Sequence, residues 1–336
     1  MKAIQFIRNS SAAGSAIDVE LETPTPTGHD LLVQVEAVGL NPVDFKVRPA
    51  EGDDPKILGF DAAGVVVSGG EDTSLFQPGD RVYYAGDVTR PGSNAEYQLV
   101  DERIVGKRPT SLDAATSAAL PLTALTAWES LFHRLGIDVD APEKNAGQSL
   151  LIIGGAGGVG SITIQLAKLA GLTVVATASR EESASWCRKL GADHIINHHE
   201  DMPAQLKELG LGMVNYIANY NDIDAVWDAM GEMIAPQGGI VLITGNEQAL
   251  DLTGPFKVKS VSICWEFMFT RSMFSTPDMI EQHHILNRVA ELVDAGQLIA
   301  TANDQLSPIQ AENILEGHRR MEAKSAIGKL TVSGWD

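Results

Sequence analysis

Cysteine is almost absent, with two residues in 336, Cys187 and Cys264. Two thiols cannot build a disulfide framework or a four-cysteine metal site, and they suit a reducing compartment, so a cytoplasmic location is expected. Positive charge is scarce too: 25 Lys and Arg stand against 44 Asp and Glu, a formal charge of −19. Such a surface repels phosphate backbones and anionic bilayers, so neither nucleic acid nor membrane is an expected partner. No apolar run reaches the roughly 18 residues that a membrane helix needs. Met1-Lys2-Ala3-Ile4-Gln5-Phe6 lacks the apolar centre of a signal peptide.

What is present is an ordinary globular composition, 44% hydrophobic and 21% charged, in a chain long enough for two domains. Up to about residue 118 the pattern is β-rich, as in Leu31-Leu32-Val33-Gln34-Val35-Glu36-Ala37-Val38, with turns at Pro42 and Gln77-Pro78-Gly79-Asp80. From there, Ala- and Leu-rich helical stretches alternate with apolar strands expected at 149–153, 173–177, 223–227 and 239–243. That alternation implies a parallel sheet. Helical stretches at 279–295 and 308–320 and a last strand at 328–332 close the chain. The expected division is 1–118 with 267–336 as one domain and 119–266 as the other.

The most informative segment runs from Ser149 to Ser161, where Gly155, Gly157 and Gly160 give G-x-G-x-x-G directly after a strand. In such a loop the first glycine permits the tight turn, the second admits the pyrophosphate and the third lets helix and strand pack. Gly158 and Val159 complete the turn into a helix whose positive end suits phosphate. Past the second strand stand Ser179 and Arg180. A guanidinium and a hydroxyl there favour a ribose 2′-phosphate and hence NADPH. The same residues also read as a capping box, with Ser179 as N-cap answered by Glu182, and the acidic Glu181 and Glu182 keep NADH open.

These features, together with Gly39-Leu40-Asn41-Pro42-Val43-Asp44, Gly59-Phe60-Asp61-Ala62-Ala63-Gly64, Pro78-Gly79-Asp80-Arg81-Val82 and Gly92-Ser93-Asn94-Ala95-Glu96-Tyr97, resemble the medium-chain dehydrogenase/reductase superfamily, in its quinone-oxidoreductase and ζ-crystallin-like branch. The resemblance covers essentially the whole chain. It implies an α/β fold: a Rossmann doubly wound parallel-sheet domain beside a GroES-like, mainly β domain, with the active site in the cleft. It also implies a homodimer or homotetramer acting on a small molecule.

Zinc-dependent relatives carry a cysteine and a histidine where this chain has Asn41 and Phe60, and the third ligand's region reads Leu120-Pro121-Leu122-Thr123. No catalytic or structural zinc is therefore expected. Without a metal to hold an alkoxide, hydride transfer to a quinone or α,β-unsaturated carbonyl is the expected chemistry, with the cofactor as its agent.

By resemblance, Asn41 hydrogen-bonds near the nicotinamide ribose or the substrate oxygen, or else closes an Asn-Pro turn. Thr123 and Thr126, Gly245 and Asn246, and Lys329 fall at positions near the cofactor; each has a plain structural alternative as helix start, turn or edge-strand lysine. Tyr83 and Tyr84 are the candidate proton donors, with solvent as the alternative. Two rivals stay open: a non-catalytic, crystallin-like NADPH-binding protein, and a zinc alcohol dehydrogenase.

Overall fold

The chain's computed structural model describes residues 1–7, 15–50, 53–323 and 326–335. It divides into two compact units, Met1–Leu125 with Met268–Asp336, and Thr126–Phe267.

The first unit is mainly β. Its strands are β1 (Lys2–Phe6), β2 (Ala16–Glu20), β3 (Asp30–Gly39), β4 (Lys56–Ile57), β5 (Ala62–Gly69), β6 (Arg81–Tyr84), β7 (Tyr97–Asp101) and β8 (Val105–Lys107). In β3, Val33, Val35 and Ala37 are buried and Gln34 and Glu36 between them exposed, a two-residue period at the strand's centre, while consecutive residues are buried on either side of it. The β5–β6 connection is set by its turn chemistry. Gly79 has φ 96°, and the Asp80 carboxylate accepts from Gln77 N at 2.9 Å. Short helices α1 (Pro42–Lys46), α2 (Ala114–Ser117) and α3 (Pro121–Trp128) follow the strands, and the passage into the second unit lies within α3.

The second unit alternates strand and helix. In order come β9 (Ser149–Ile153), α4 (Gly158–Leu169), β10 (Thr173–Thr177), α5 (Glu181–Lys189), β11 (His194–Ile196), α6 (Met202–Glu208), β12 (Val214–Asn219), α7 (Trp227–Met233), β13 (Ile234–Leu242), α8 (Gly254–Val258) and β14 (Ser262–Trp265). All six strands are parallel, ordered β11-β10-β9-β12-β13-β14. β9, fully buried, lies in the middle, as a strand covered on both faces must. Leu151, Ile153, Ile217, Ile240 and Leu242 pack with Leu206, Trp227, Met230 and Met233 into one core, each burial contributing roughly 1.5–3 kcal/mol.

The strand expected at 223–227 is a correction. The sheet position belongs to Val214–Asn219, and Ile223 lies in the loop that follows. Ile223, Val226, Trp227 and Met230 recur at helical spacing, and their burial is that of a turn leading into α7.

The chain returns to the first unit through α9 (Thr270–Met273), α10 (Glu281–Asp294), β15 (Ala302–Leu306), α11 (Ala311–Glu322) and β16 (Lys329–Ser333). β16 pairs with β15 on one side and β3 on the other, so it is not an edge strand. No helix among the described residues is long and apolar enough to cross a membrane.

Candidate dinucleotide site and a buried polar network

β9 runs into the glycine loop at Ile153. The left-handed residue there is Gly154, with φ 90°, so the turn falls one position before the glycine expected to make it. Its N–H donates to Thr177 Oγ1 at 3.0 Å, fastening the loop to the end of β10. Gly155 serves close packing instead, because a Cβ there would lie 2.7 Å from Ala176 Cβ and 3.3 Å from Cys187 Sγ. At Gly160 a Cβ would overlap the Gly154 carbonyl oxygen and lie 2.7 Å from that of Gly155. Gly157 differs from both: the nearest atom to a Cβ would be Gly154 O at 3.5 Å. That glycine leaves room in front of the loop. As the N-cap of α4 it supplies no side-chain cap, so the first N–H groups of a 12-residue helix, at Gly158, Val159 and Gly160, are offered to an anion.

The strand order reverses between β9 and β12, since their successors lie on opposite sides. Ligands of such sheets bind outside the carboxyl ends of the strands at this point. The residues that stand there were missed in the sequence. Asn219 is fully buried. Its Oδ1 accepts from Asn221 N at 3.0 Å, while its Nδ2 has no hydrogen-bond partner among the described residues. A buried amide donor without a partner is costly, and one level with Ile153 at the start of the loop fits a polar ligand. Tyr220 N donates to Ile153 O at 3.0 Å. The signal in the sequence was the polar run Asn219-Tyr220-Asn221 ending an apolar strand.

Beyond β13, Gly245 is exposed with open space where a Cβ would be. Its loop is fixed by Thr244 Oγ1 donating to Asn221 O at 2.6 Å and Glu247 N donating to Asp224 Oδ2 at 2.7 Å. Asn246 turns its Nδ2 to Gln248 O at 2.8 Å, a local loop bond.

Ser179 and Arg180 are exposed at the end of β10. The cap of α5 differs from the one expected: Arg180 is the N-cap, and Ser183 Oγ bonds both its N and its O, at 3.3 and 2.8 Å. Glu181 is held by Ser185 Oγ at 3.1 Å and Arg188 at 3.0 Å along its own helix.

Asn41 and Lys329 belong to the first unit and are buried together. Lys329 Nζ donates to Leu40 O and Asn41 Oδ1 at 2.6 Å and to Asp61 Oδ2 at 2.9 Å. An ammonium only donates, so Asn41 must present its oxygen to it. The Asn41 amide hydrogens then go to Asp61 Oδ2 at 2.8 Å and Gly39 O at 3.3 Å. Both are engaged inside this network, so neither amide hydrogen is left for the nicotinamide ribose or the substrate oxygen expected for Asn41. Asn41 N donates to Asp44 Oδ2 at 2.7 Å, the capping box of α1. Leu122 N holds the other Asp61 oxygen at 2.7 Å. Burial pushes the Asp44 carboxyl up to about 7 and raises that of Asp61 as well, Lys329 opposing both. Lys329 is therefore a buried ion-pair partner rather than a solvated lysine.

The candidate proton donors are corrected similarly. Tyr83 is fully buried, and its hydroxyl donates to Leu286 O at 2.6 Å. Tyr84 is 1% exposed. Burial raises both phenols above their ordinary range, so neither reaches solvent or gives up a proton readily. Thr123 turns its hydroxyl back to Leu120 O at 3.0 Å, just before α3, and Thr126 is buried.

The positions that the resemblance assigns to zinc ligands do not fit a zinc ion. Phe60 is buried edge-on against Phe269, with ring centroids 5.4 Å apart, and the Asn41 amide is enclosed by Lys329 and Asp61. The cation bonded there is Lys329's own ammonium. Among the described residues no three His, Cys, Asp or Glu converge as a metal site would require.

Residues 27–110 match the alcohol dehydrogenase GroES-like domain and residues 158–287 the zinc-binding dehydrogenase family. A zinc-type alcohol dehydrogenase-like protein of Staphylococcus aureus (strain MSSA476) is 44% identical over 315 residues, covering 94% of this chain and 93% of that one. The chloroplastic quinone-oxidoreductase QR1 of Triphysaria versicolor is 28% identical over 99% of this chain and 98% of its own. Among solved structures, a candidate zinc-dependent alcohol dehydrogenase of Rhizobium etli CFN 42 superposes with a TM-score of 0.94 at 47% identity, over 100% of this chain and 98% of that one. With a six-stranded Rossmann sheet, a GroES-like β unit and relatives that match along nearly their full length, the chain belongs to the medium-chain dehydrogenase/reductase superfamily of oxidoreductases.

Proposed function

We propose that the protein is an NADPH-dependent reductase that delivers hydride to a quinone or an α,β-unsaturated carbonyl compound without zinc. The observation that carries this reading is the opening at the switch point, where the space before Gly157, the uncapped start of α4 and the partnerless Asn219 Nδ2 share one edge of the sheet. Those features fit a dinucleotide. The position of Arg180 and Ser179 at the end of β10 supports NADPH over NADH, because a guanidinium pairs with a 2′-phosphate and an overall charge of −19 offers few other cations.

When bound, the nicotinamide supplies the hydride. The chain's own contribution is placement: α4 holds the pyrophosphate by backbone N–H groups, and Arg180 anchors the 2′-phosphate. With Tyr83 and Tyr84 buried and the Asn41 donors engaged, the proton that completes reduction comes from solvent. A conjugated acceptor tolerates this because its charge is delocalised before protonation. QR1, named as a quinone-oxidoreductase, supports the substrate class. Exposed Trp265 and Phe267, at 51% and 45% on and just after the outermost strand β14, support assembly as a homodimer or a tetramer of dimers.

The test is cofactor oxidation, followed by absorbance, with a quinone, an enal, an enone and a simple aldehyde, with and without chelator. Chelator-insensitive turnover of a conjugated acceptor is expected. Binding of NADPH without turnover of any acceptor would instead make this a cofactor-binding protein, and stoichiometric zinc with chelator-sensitive turnover would revive a zinc alcohol dehydrogenase. Arg180→Ala should weaken NADPH by about tenfold, the loss of one charge-assisted contact of roughly 1.5 kcal/mol, and leave NADH unchanged.

A further inference from the structure

Tyr220 is the first residue beyond β12, at the point where the strand order reverses. It grips its surroundings twice. Its backbone N–H donates to Ile153 O at 3.0 Å, at the threshold of the glycine loop. Its phenol lies 3.0 Å from Thr163 Oγ1, in the second turn of α4. The direction of that second bond follows from its neighbours. Thr163 Oγ1 is 2.9 Å from Val159 O, which only accepts, so the threonine proton goes there. With the threonine proton used there, the phenol is the donor across the 3.0 Å contact, and the Ser130 hydroxyl stands beside it as a second neighbour.

One residue thus ties the end of β12 to β9 by its backbone and to α4 by its side chain, and the loop 154–157 runs between those two ties. A Cβ at Gly154 would lie 3.7 Å from Tyr220 Cβ, so the residue lies beside the loop. The ring is half-buried while its hydroxyl end lies inside. Burial pushes the phenol up to about 12. It therefore keeps its proton, and the bond persists, throughout the neutral range.

We propose that Tyr220 is a cofactor-positioning residue: by donating to Thr163 Oγ1 it sets the spacing between the first turns of α4 and the end of β12, the gap that receives the dinucleotide's pyrophosphate and nicotinamide-side ribose. This rests on the dinucleotide reading above. Tyr220 is a positioning residue and takes no part in proton transfer. Its effect falls on the part common to NADPH and NADH, whereas Arg180 discriminates between them.

The experiment is fluorescence titration of the full-length protein with NADPH and NADH, alongside thermal unfolding, for wild type, Tyr220→Phe, Thr163→Val, Thr163→Ser and the Tyr220→Phe/Thr163→Val double variant. Tyr220→Phe and Thr163→Val should each weaken both nucleotides by about three- to tenfold, as loss of one hydrogen bond predicts. The double variant should be no weaker than the worse single one, since both remove one shared bond. Thr163→Ser, which keeps the acceptor, should restore binding to within about twofold. Unchanged affinity in Tyr220→Phe with a lowered melting temperature would reduce the residue to a structural tether, and losses that add in the double variant would show that the two do not act together; either result overturns the proposal. A wild type that binds neither nucleotide would overturn the dinucleotide reading itself.

Discussion

Both units bury polar side chains near the ends of their strands, but they complete them differently. In the first, around Lys329, Asp61 takes hydrogen bonds on both oxygens and Asn41 uses both amide hydrogens and its carbonyl. Around that ammonium the bonds close on one another, and Asp44 Oδ1 is the oxygen of the group left without a partner among the described residues. In the second, an amide donor of Asn219 has no partner among the described residues, the helix start has no side-chain cap, and a Cβ at Gly157 would meet only Gly154 O, at 3.5 Å. A buried polar group whose bonds are met by its neighbours holds shape, which is what Lys329, Asn41 and Asp61 do in the β unit, whereas an unmet donor beside an uncapped helix start is what the proposed dinucleotide reading uses at the parallel sheet.

The comparison is most easily broken from the closed side. Lys329→Met removes the cation bonded to a carboxylate that is 0% exposed. It should cost about 3–5 kcal/mol, the usual penalty for a buried charge left without its partner, read as a lowered urea midpoint. A loss under about 1 kcal/mol would mean that Asp61 is not carried by this pair.

On the open side, Gly160→Ala places a methyl group against two loop carbonyls. Overpacking of that kind costs roughly 1–3 kcal/mol, and nucleotide binding should fall with it. Wild-type stability and binding would show that the loop can yield, against the close packing seen there.

A further effect is in pH. The Asp44 carboxyl is raised to about 7 in the folded chain, chiefly by burial, from a reference of 3.8. A group raised on folding favours the native state fully below its unfolded pKa and loses that contribution as pH climbs through the folded one. Its share of stability should therefore decline between about pH 4 and 7. Asp44→Asn, which keeps an acceptor for Asn41 N, should flatten that decline and gain relative to wild type at pH 8 more than at pH 5. Parallel pH profiles for the two proteins would contradict the assignment.

How much of this was legible follows from how far apart the partners lie. β9, α4 and β10 could be read because strand, glycine loop, helix and strand are contiguous, and the period changes visibly between them. The third central strand was misplaced because Val214-Asn215-Tyr216-Ile217-Ala218-Asn219 alternates imperfectly, whereas Ile223, Val226 and Trp227 look strand-like until their helical spacing is noticed. The Asn41 network could not be read at all. Asn41 lies 20 residues from Asp61 and 288 from Lys329, and no local pattern reports a bond across such separations. The same holds for Tyr220 and Thr163, 57 residues apart. Tyr83 and Tyr84 were marked by their chemistry, but burial decides availability and only the fold reveals it.

The most direct test of the account is calorimetric titration of NADPH into chelator-dialysed wild type and Gly157→Ala, with the melting temperature of each. A methyl group at that position would meet only Gly154 O, at an ordinary contact distance of 3.5 Å, so the variant should stay within about 1 kcal/mol of wild-type stability, the scale of an N-cap change from glycine. Wild type should bind without metal and the variant at least about tenfold more weakly, a difference near 1.4 kcal/mol. Equal binding by the two proteins, or none by wild type, would contradict the claim that the space before Gly157 is where the dinucleotide lies.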